Sequence, residues 1–256
     1  MVKQLLCFTF RRPVYRCGTE RDIPGKNGRE TVMEKKVNGF YGKYVKRALD
    51  IFCSGLAMLL FSWLYLILAI LVKVNLGSPI IFKQERPGMI DPKTGKEKIF
   101  NLYKFRSMTD ARDENGNLLP DSKRLTKFGK LLRKTSLDEL PEAWNIFKGD
   151  MSIVGPRPWL VRYLKYYTDY ERQRHLVRPG LTGWAQVNGR NSAGWGERFK
   201  YDIEYVNHVS FGMDLKVIAK TVMNLFKPEG IDFEKGHQTL REYFEERNGG
   251  QSEKNA

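Results

Sequence analysis

From Ile51 to Val72 the chain reads IFCSGLAMLLFSWLYLILAILV, a run without a single charge. At a rise of about 1.5 Å per residue, a helix of this length could cross a hydrocarbon layer of about 30 Å. Uncharged runs this long are rare in the cores of soluble domains, so the stretch reads as a membrane segment rather than a buried helix. Lys43, Lys46 and Arg47 precede it and Lys73, Lys83 and Arg86 follow it, which gives no inside end by charge count. A segment that enters and leaves on one face satisfies that balance. Trp63 and Tyr65, residue types that favour the interface, sit mid-run and point to a shallow or bent helix.

Beyond Gly77-Ser78-Pro79, Ile80 to Gln84 and Ile99 to Phe105 read as two short strands of a hairpin turning through Asp91, Pro92 and Gly95. Residues 109–124 are charged and loop-like, and Leu125, Phe128, Leu131 and Leu132 then recur at helical spacing. A second short helix holds Trp144, Ile146 and Phe147 and ends on Lys148-Gly149. Pro141 is tolerated only in a first turn, so this helix should begin near Asp138 or Glu139. An aromatic-rich helical segment, Trp159 to Tyr170, leads to a loop-rich run, VRPGLTGWAQVNGRN, over 177–191. Asp214 to Lys227 sets Leu215, Ile218, Ala219, Val222, Leu225 and Phe226 against Lys216, Lys220, Asn224 and Lys227. That pattern fits a core helix with a solvated back, and beside a membrane segment it fits an interfacial helix equally.

The expected fold is α+β and mostly helical: a membrane-embedded, re-entrant N-terminal helix, a small β-hairpin and amphipathic interfacial helices. Residues 1–38 form a basic, disordered extension in which Leu5 to Phe10 is too short for a signal-peptide core, and Met33 reads as an alternative start. The membrane-associated helix occupies 39–76, a catalytic domain 77–237 and a polar tail 238–256. A net charge of +15 implies a polyanionic partner: nucleic acid, a phosphorylated small molecule or an anionic lipid. No nucleic-acid-binding motif accompanies it. The three scattered cysteines argue for a reducing compartment without a disulfide framework.

Asp138 and Glu139 stand at a helix start between basic residues, ahead of the rigid turn Gly155-Pro156-Arg157-Pro158. Taken locally, Asp138 is an N-cap, and Glu139 and Glu142 complement the helix dipole. Consecutive side chains diverge by about 100° on a regular helix, and both can address one ligand only where the backbone turns into it. Free N–H groups there, with Arg133, Lys134 and Arg157 nearby in sequence, would also suit a phosphate. The glycines of 177–191 would let backbone approach a ligand closely, or serve an ordinary connector.

The motifs KRALD, GSPIIFKQERPG, YKFRSM, LRKTSLDELPEAWNIFKGDMSIVGPRP and VRPGLTGWAQVNGRN, in this order over about Lys43 to His237, resemble the bacterial sugar transferase family. The likeness is to its small monotopic phosphoglycosyl transferases, among them the initiating enzyme of bacterial protein N-glycosylation. The resemblance implies transfer of sugar 1-phosphate from a UDP-sugar to polyprenol (undecaprenyl) phosphate, with release of UMP. It casts Asp138 as nucleophile in a phosphosugar-aspartyl intermediate and Glu139 as its catalytic partner, both toward Mg2+. Arg133, Arg157, Lys104 and Arg106 would neutralise the diphosphate, and Arg178, Gln186, Asn188 and Arg190 would bind nucleotide or phosphate. It also implies contact with membrane phospholipid at the cytoplasmic face of a bacterial inner membrane, and leaves room for a homodimer. Where the family's membrane helix carries Ser-Pro this chain has Ser62-Trp63, which removes the main local cause of a kink, so the re-entrant expectation rests on the basic flanks. The reading from another class is a non-enzymatic basic adaptor that binds anionic lipid.

Overall fold

A computed structural model describes residues 39–188, 194–225 and 239–252. The expected extension over 1–38, Met33 within it, and Arg190 lie outside the described residues.

The apolar run is two helices: α1 (Tyr41–Leu60), which opens with a π-helical turn over Tyr41–Val45, and α2 (Ser62–Leu76), bent from it by 64°. Neither is long and apolar enough to cross a membrane alone; by length and composition the bent pair is. The bend falls at Phe61, next to Ser62-Trp63, although no proline is present. Its two sides are held by different parts of the chain. On α1, Arg47 donates to the carbonyls of Ile146 (2.6 Å) and Phe147 (2.7 Å). On α2, the Tyr65 hydroxyl donates to Leu140 O (2.6 Å), and Leu68, Val72 and Leu76 pack with Phe105 and Leu132. Docking supplies the bend that proline does not.

β1 (Ile81–Ile90) and β2 (Glu97–Phe105) pair antiparallel, with a register shift between Pro87 and Ile90. The hairpin is longer on both arms than the alternation suggested. α3 (Lys127–Lys134) is capped by Thr126, whose hydroxyl accepts from Gly129 N at 3.0 Å. It leads through a 3-10 turn, Leu137–Glu139, into α4 (Glu142–Lys148). Asn145 on α4, fully buried, accepts from Tyr103 N (3.0 Å) and donates to Asn101 O (2.7 Å), fixing α4 against the free edge of β2.

A second pair escapes the sequence pattern. β3 (Ser152–Val154) and β4 (Gly180–Thr182) are parallel, with Ser152 opposite Gly180 and Val154 opposite Thr182. A Cβ on Gly155, Gly180 or Gly183 would sit 2.1–2.4 Å from backbone atoms of this crossing. These glycines therefore admit backbone to backbone rather than backbone to ligand. Between the two strands, the expected aromatic helix is a 3-10 segment, Val161–Tyr166, and a single α-turn, Asp169–Arg172.

α5 (Trp184–Asn188), α6 (Trp195–Asn207) and α7 (Phe211–Leu225) close the fold around Val154, Val177, Trp184, Tyr205, Val206 and Val217. α7 has an inverted polarity. Its Lys216 and Lys220 lie over the Trp184 ring at 4.8 and 4.5 Å, and Lys220 also donates to Asn188 Oδ1. Phe211, Leu215, Ile218, Val222 and Met223 are exposed instead. A helix on a water-facing surface has the reverse arrangement. α8 (Leu240–Ser252) falls within the expected polar tail and buries Leu240 and Phe244 with Phe199.

Asp214 ties three of these elements together, α1, α6 and α7. It accepts from Tyr41 (2.6 Å), Lys46 (2.5 Å) and Tyr205 (2.6 Å). Asp214→Ala strands the half-buried Lys46 ammonium and Tyr41 hydroxyl and the buried Tyr205 hydroxyl, with an expected loss of about 3 kcal/mol. Thermal unfolding of the detergent-solubilised chain checks it; an unchanged Tm would show that the hub contributes little.

Candidate functional site

The acid pair lies on the 3-10 turn Leu137–Glu139, ahead of α4 rather than within it. Ser136, at φ 55°, is a non-glycine residue in left-handed conformation that turns the chain out of α3. No side chain caps the N-terminus of either the turn or α4. Asp138 is buried and its carboxylate takes no hydrogen bond from another described residue, so it does not serve as the local N-cap.

Glu139 is held firmly. Its Oε1 accepts from Lys104 on β2 (2.7 Å) and from Arg157 of the proline-flanked turn (2.9 Å). Lys104 also stands 3.1 Å from Glu142 Oε1, an ion-pair distance at angles that do not make a hydrogen bond, so this buried oxygen remains unsatisfied. One ammonium therefore serves two carboxylates. Arg133 donates to Ser107 Oγ (2.9 Å), and its charge opposes protonation of Asp138.

These neighbours set the carboxyl groups apart. Burial raises Asp138, and Glu139 adds to that, against Lys104 and Arg133. Burial acts in the same direction on Glu139, but Arg157 and Lys104 outweigh it and bring that group down to about 2. Glu142 is pushed up to about 6 by burial and by Glu139, with Lys104 opposing. Both electrostatic causes are geometric: a cation bound directly favours the anion, and a like charge nearby disfavours it.

The turn carrying Arg157 is clamped by two other arginines. Arg174, buried in an ion pair with Asp202 at 2.7 Å, donates to Arg157 O (2.6 Å). Arg86 donates to Pro158 O (2.9 Å), and burial together with Arg157 pushes it down to about 10. The carbonyl oxygens of Arg157 and of the proline after it are thus fixed by charged donors.

Of the residues singled out by sequence, Asp138, Glu139, Lys104, Arg157 and Arg133 come together. Arg106 does not join them. Its guanidinium binds Ser78 O, Met108 O and Asp110, organising the loop after β2. Arg178 donates to Gly149 O (3.1 Å) at the end of α4. Gln186 donates to Leu181 O (3.1 Å) and Asn188 to Trp184 O (2.8 Å), contacts internal to the β4–α5 region. Glu142, Arg86 and Arg174 were not singled out. Glu142 could have been found from its i+3 spacing to Glu139; the clamps on the turn depend on long-range pairing that leaves no local pattern.

Among the described residues no three His, Cys, Asp or Glu side chains gather as a metal cage. The available donors are hard oxygens, Asp138 and Glu139 Oε2, because Oε1 of Glu139 is already engaged. That set fits Mg2+, which binds through one or two carboxylates and completes its shell with water and phosphate oxygens.

A sequence model described as bacterial sugar transferase matches residues 41–228. The uncharacterized sugar transferase EpsL of Bacillus subtilis (strain 168) is 48% identical over 187 residues, 73% of this chain and 90% of that protein. A UDP-N-acetylgalactosamine-undecaprenyl-phosphate N-acetylgalactosaminephosphotransferase of Aeromonas hydrophila is 34% identical over 190 residues, 71% of this chain and 44% of that one. The UDP-glucose:undecaprenyl-phosphate glucose-1-phosphate transferase of Escherichia coli (strain K12) is 38% identical over 194 residues, 72% of this chain and 40% of that one. The chain thus spans most of the first relative and less than half of the other two.

The split acidities give a pH test. Glu142, at 4.5 ordinarily and about 6 here, stabilises the fold below about pH 4.5 and loses that contribution as pH rises through about 6. Glu139, brought down to about 2, has the opposite sign: its contribution is present above its ordinary value and lost as pH falls through about 2. Glu142→Gln, fixed in the neutral form, should match the parent near pH 4.5 and exceed it at about pH 8 by about 2 kcal/mol. Melting curves at the two pH values measure the difference, and a gap that does not widen with pH contradicts the assignment.

Proposed function

Because the chain belongs to the bacterial sugar transferase family, we propose that it transfers sugar 1-phosphate from a UDP-sugar to polyprenol (undecaprenyl) phosphate and releases UMP, so initiating a membrane-linked glycan. The observation that carries this reading is Asp138: a buried carboxylate without a hydrogen bond from any other described residue, next to a glutamate pinned by two cations. A carboxylate that neither caps a helix nor pairs directly is available as a nucleophile.

In the first step an Asp138 oxygen attacks the phosphorus that bears the sugar. The bond from that phosphorus to the bridging oxygen breaks, and UMP leaves with the electron pair. In the second step a phosphate oxygen of the polyprenol carrier attacks the same phosphorus, the aspartyl bond breaks, and Asp138 returns as carboxylate. Glu139 stays anionic throughout because Arg157 and Lys104 hold it so. The same two cations, with Arg133, stabilise charge that develops on the transferring phosphoryl group. Mg2+ held by Asp138 and Glu139 Oε2 would neutralise the diphosphate and position it.

The substrate carrier is a lipid, and the exposed apolar surface suits that. The outward face of α7, the exposed Trp144 and Phe147 of α4, and the uncharged α1–α2 pair present apolar side chains to their surroundings. We place the α1–α2 pair in the inner membrane as a re-entrant unit, with the catalytic domain on the cytoplasmic face. The bend and the basic residues at both ends support that geometry.

Purified protein with Mg2+, polyprenol phosphate and a panel of UDP-sugars should release UMP from at least one of them, and Asp138→Asn should lower the rate at least about 1,000-fold. Full turnover by that variant would sink the mechanism. For topology, a single cysteine at Phe40, with the native cysteines replaced by serine, should resist an impermeant maleimide applied to intact cells. Labelling there would mean that α1 and α2 span the membrane.

A further inference from the structure

Four cations crowd the start of α1: Lys43, Lys46, Arg47 and, from the segment before β4, Arg178. Two carboxylates lie near them; Asp214 is fully engaged, whereas Asp50 is bonded through Oδ1 alone and its buried Oδ2 has no hydrogen-bond partner. Asp214 is taken by Tyr41, Lys46 and Tyr205, and Asp50 accepts from Ser152 Oγ (3.1 Å) and Ile153 N (2.9 Å). Arg47 is occupied by the carbonyls that end α4. Arg178 makes one hydrogen bond, from Nε to Gly149 O, and its two terminal nitrogens have no partner among the described residues.

Those nitrogens belong to a residue that lines a cavity of about 130 Å³ formed by Gly42, Lys43, Lys46, Met89, Val177, Arg178 and Val209. No carboxylate lines it. Burial and the neighbouring Arg47 lower the basicity of Arg178, with Asp50 opposing them from beyond ion-pair distance. The cavity lies beside the π-helical turn that precedes the uncharged run. Exposed Phe40 and Tyr44 form an aromatic pair there (5.7 Å between centroids), and exposed Phe211 packs edge-on against Tyr41 (6.1 Å). Aromatic residues at that level mark the headgroup zone of a bilayer, where lipid phosphates lie.

We propose that this cavity is a lipid-phosphate site, in which Lys43 and Arg178 bind the phosphate of a membrane lipid at headgroup level, apart from the acid pair. The forked guanidinium supplies paired donors to two phosphate oxygens and the lysine a point charge. The inference rests on the membrane placement above and not on the aspartyl chemistry. Two sources share the ligand chemistry, a bilayer phospholipid and the polyprenol phosphate acceptor.

Native mass spectrometry of the full chain in detergent, titrated separately with phosphatidylglycerol, undecaprenyl phosphate and inorganic phosphate, tests it. Arg178→Gln should weaken binding of at least one of the two lipids by about tenfold or more, and whichever lipid responds identifies the source. Lys43→Glu, at an exposed position whose ammonium lies over the Tyr44 ring and pairs with no carboxylate among the described residues, should do the same while leaving the fold intact. Unaltered affinity for both lipids in both variants overturns the proposal, as does a site that inorganic phosphate fills equally well. UMP release by the parent, scored separately, decides the catalytic reading, so either can fail without the other.

Discussion

The candidate site depends on one ammonium group. Lys104 projects from β2 between Glu139 and Glu142, and nothing else among the described residues is in direct ion-pair contact with both. Two carboxylates this close cannot both remain anionic at ordinary pH without a cation between them. The arrangement therefore constrains the fold around it. β2 must lie at a fixed distance from α4, and the buried Asn145 sets that distance by bonding the strand's backbone on both sides of Leu102. Arg157 completes the hold on Glu139 from a third direction, on a turn whose carbonyls are clamped by Arg86 and Arg174. Asp138, the residue left without such partners, is thereby set in a rigid frame, which suits the nucleophile role proposed for it.

The α1–α2 pair is attached to this frame by the charged residues of KRALD, each to a different element. Lys46 binds Asp214 of α7, Arg47 binds the terminal carbonyls of α4, and Asp50 binds the backbone of β3. Arg47 also complements the negative end of the α4 dipole, while Glu142 lies in the first turn of the same short helix. The apolar pair and the acid pair are thus coupled through α4, which would bring the proposed lipid-borne acceptor into register with the acid pair.

The polarity of α7 gives the surface its direction. Lysines laid over the Trp184 ring and apolar residues turned outward make sense where the surroundings are less polar than water. The excess positive charge has a matching distribution: part of it neutralises carboxylates in the site, and part gathers around Lys43 and Arg178 where anionic lipid would meet it.

Periodicity and turn chemistry made much of this legible in the sequence. The uncharged run, the hairpin, the helix ending at Gly149 and the acid pair at the entrance to that helix follow from local rules, because each involves residues within a turn or two of one another. Of the residues that the motifs singled out, Asp138, Glu139, Lys104, Arg133 and Arg157 lie near one another in the fold. Tertiary structure alone decided the rest. It set Gly155 against Gly180 and Gly183 as backbone packing, through a pairing that no local spacing encodes, and tied Arg106 to the distant Ser78 as well as to its neighbours Met108 and Asp110. It turned the apolar face of α7 outward, a choice the sequence left open because an amphipathic pattern fixes two faces and not which one meets the protein. It also bent the apolar run without proline, since the bend comes from two dockings on opposite sides of Phe61, to Ile146 and Phe147 on one side and Leu140 on the other.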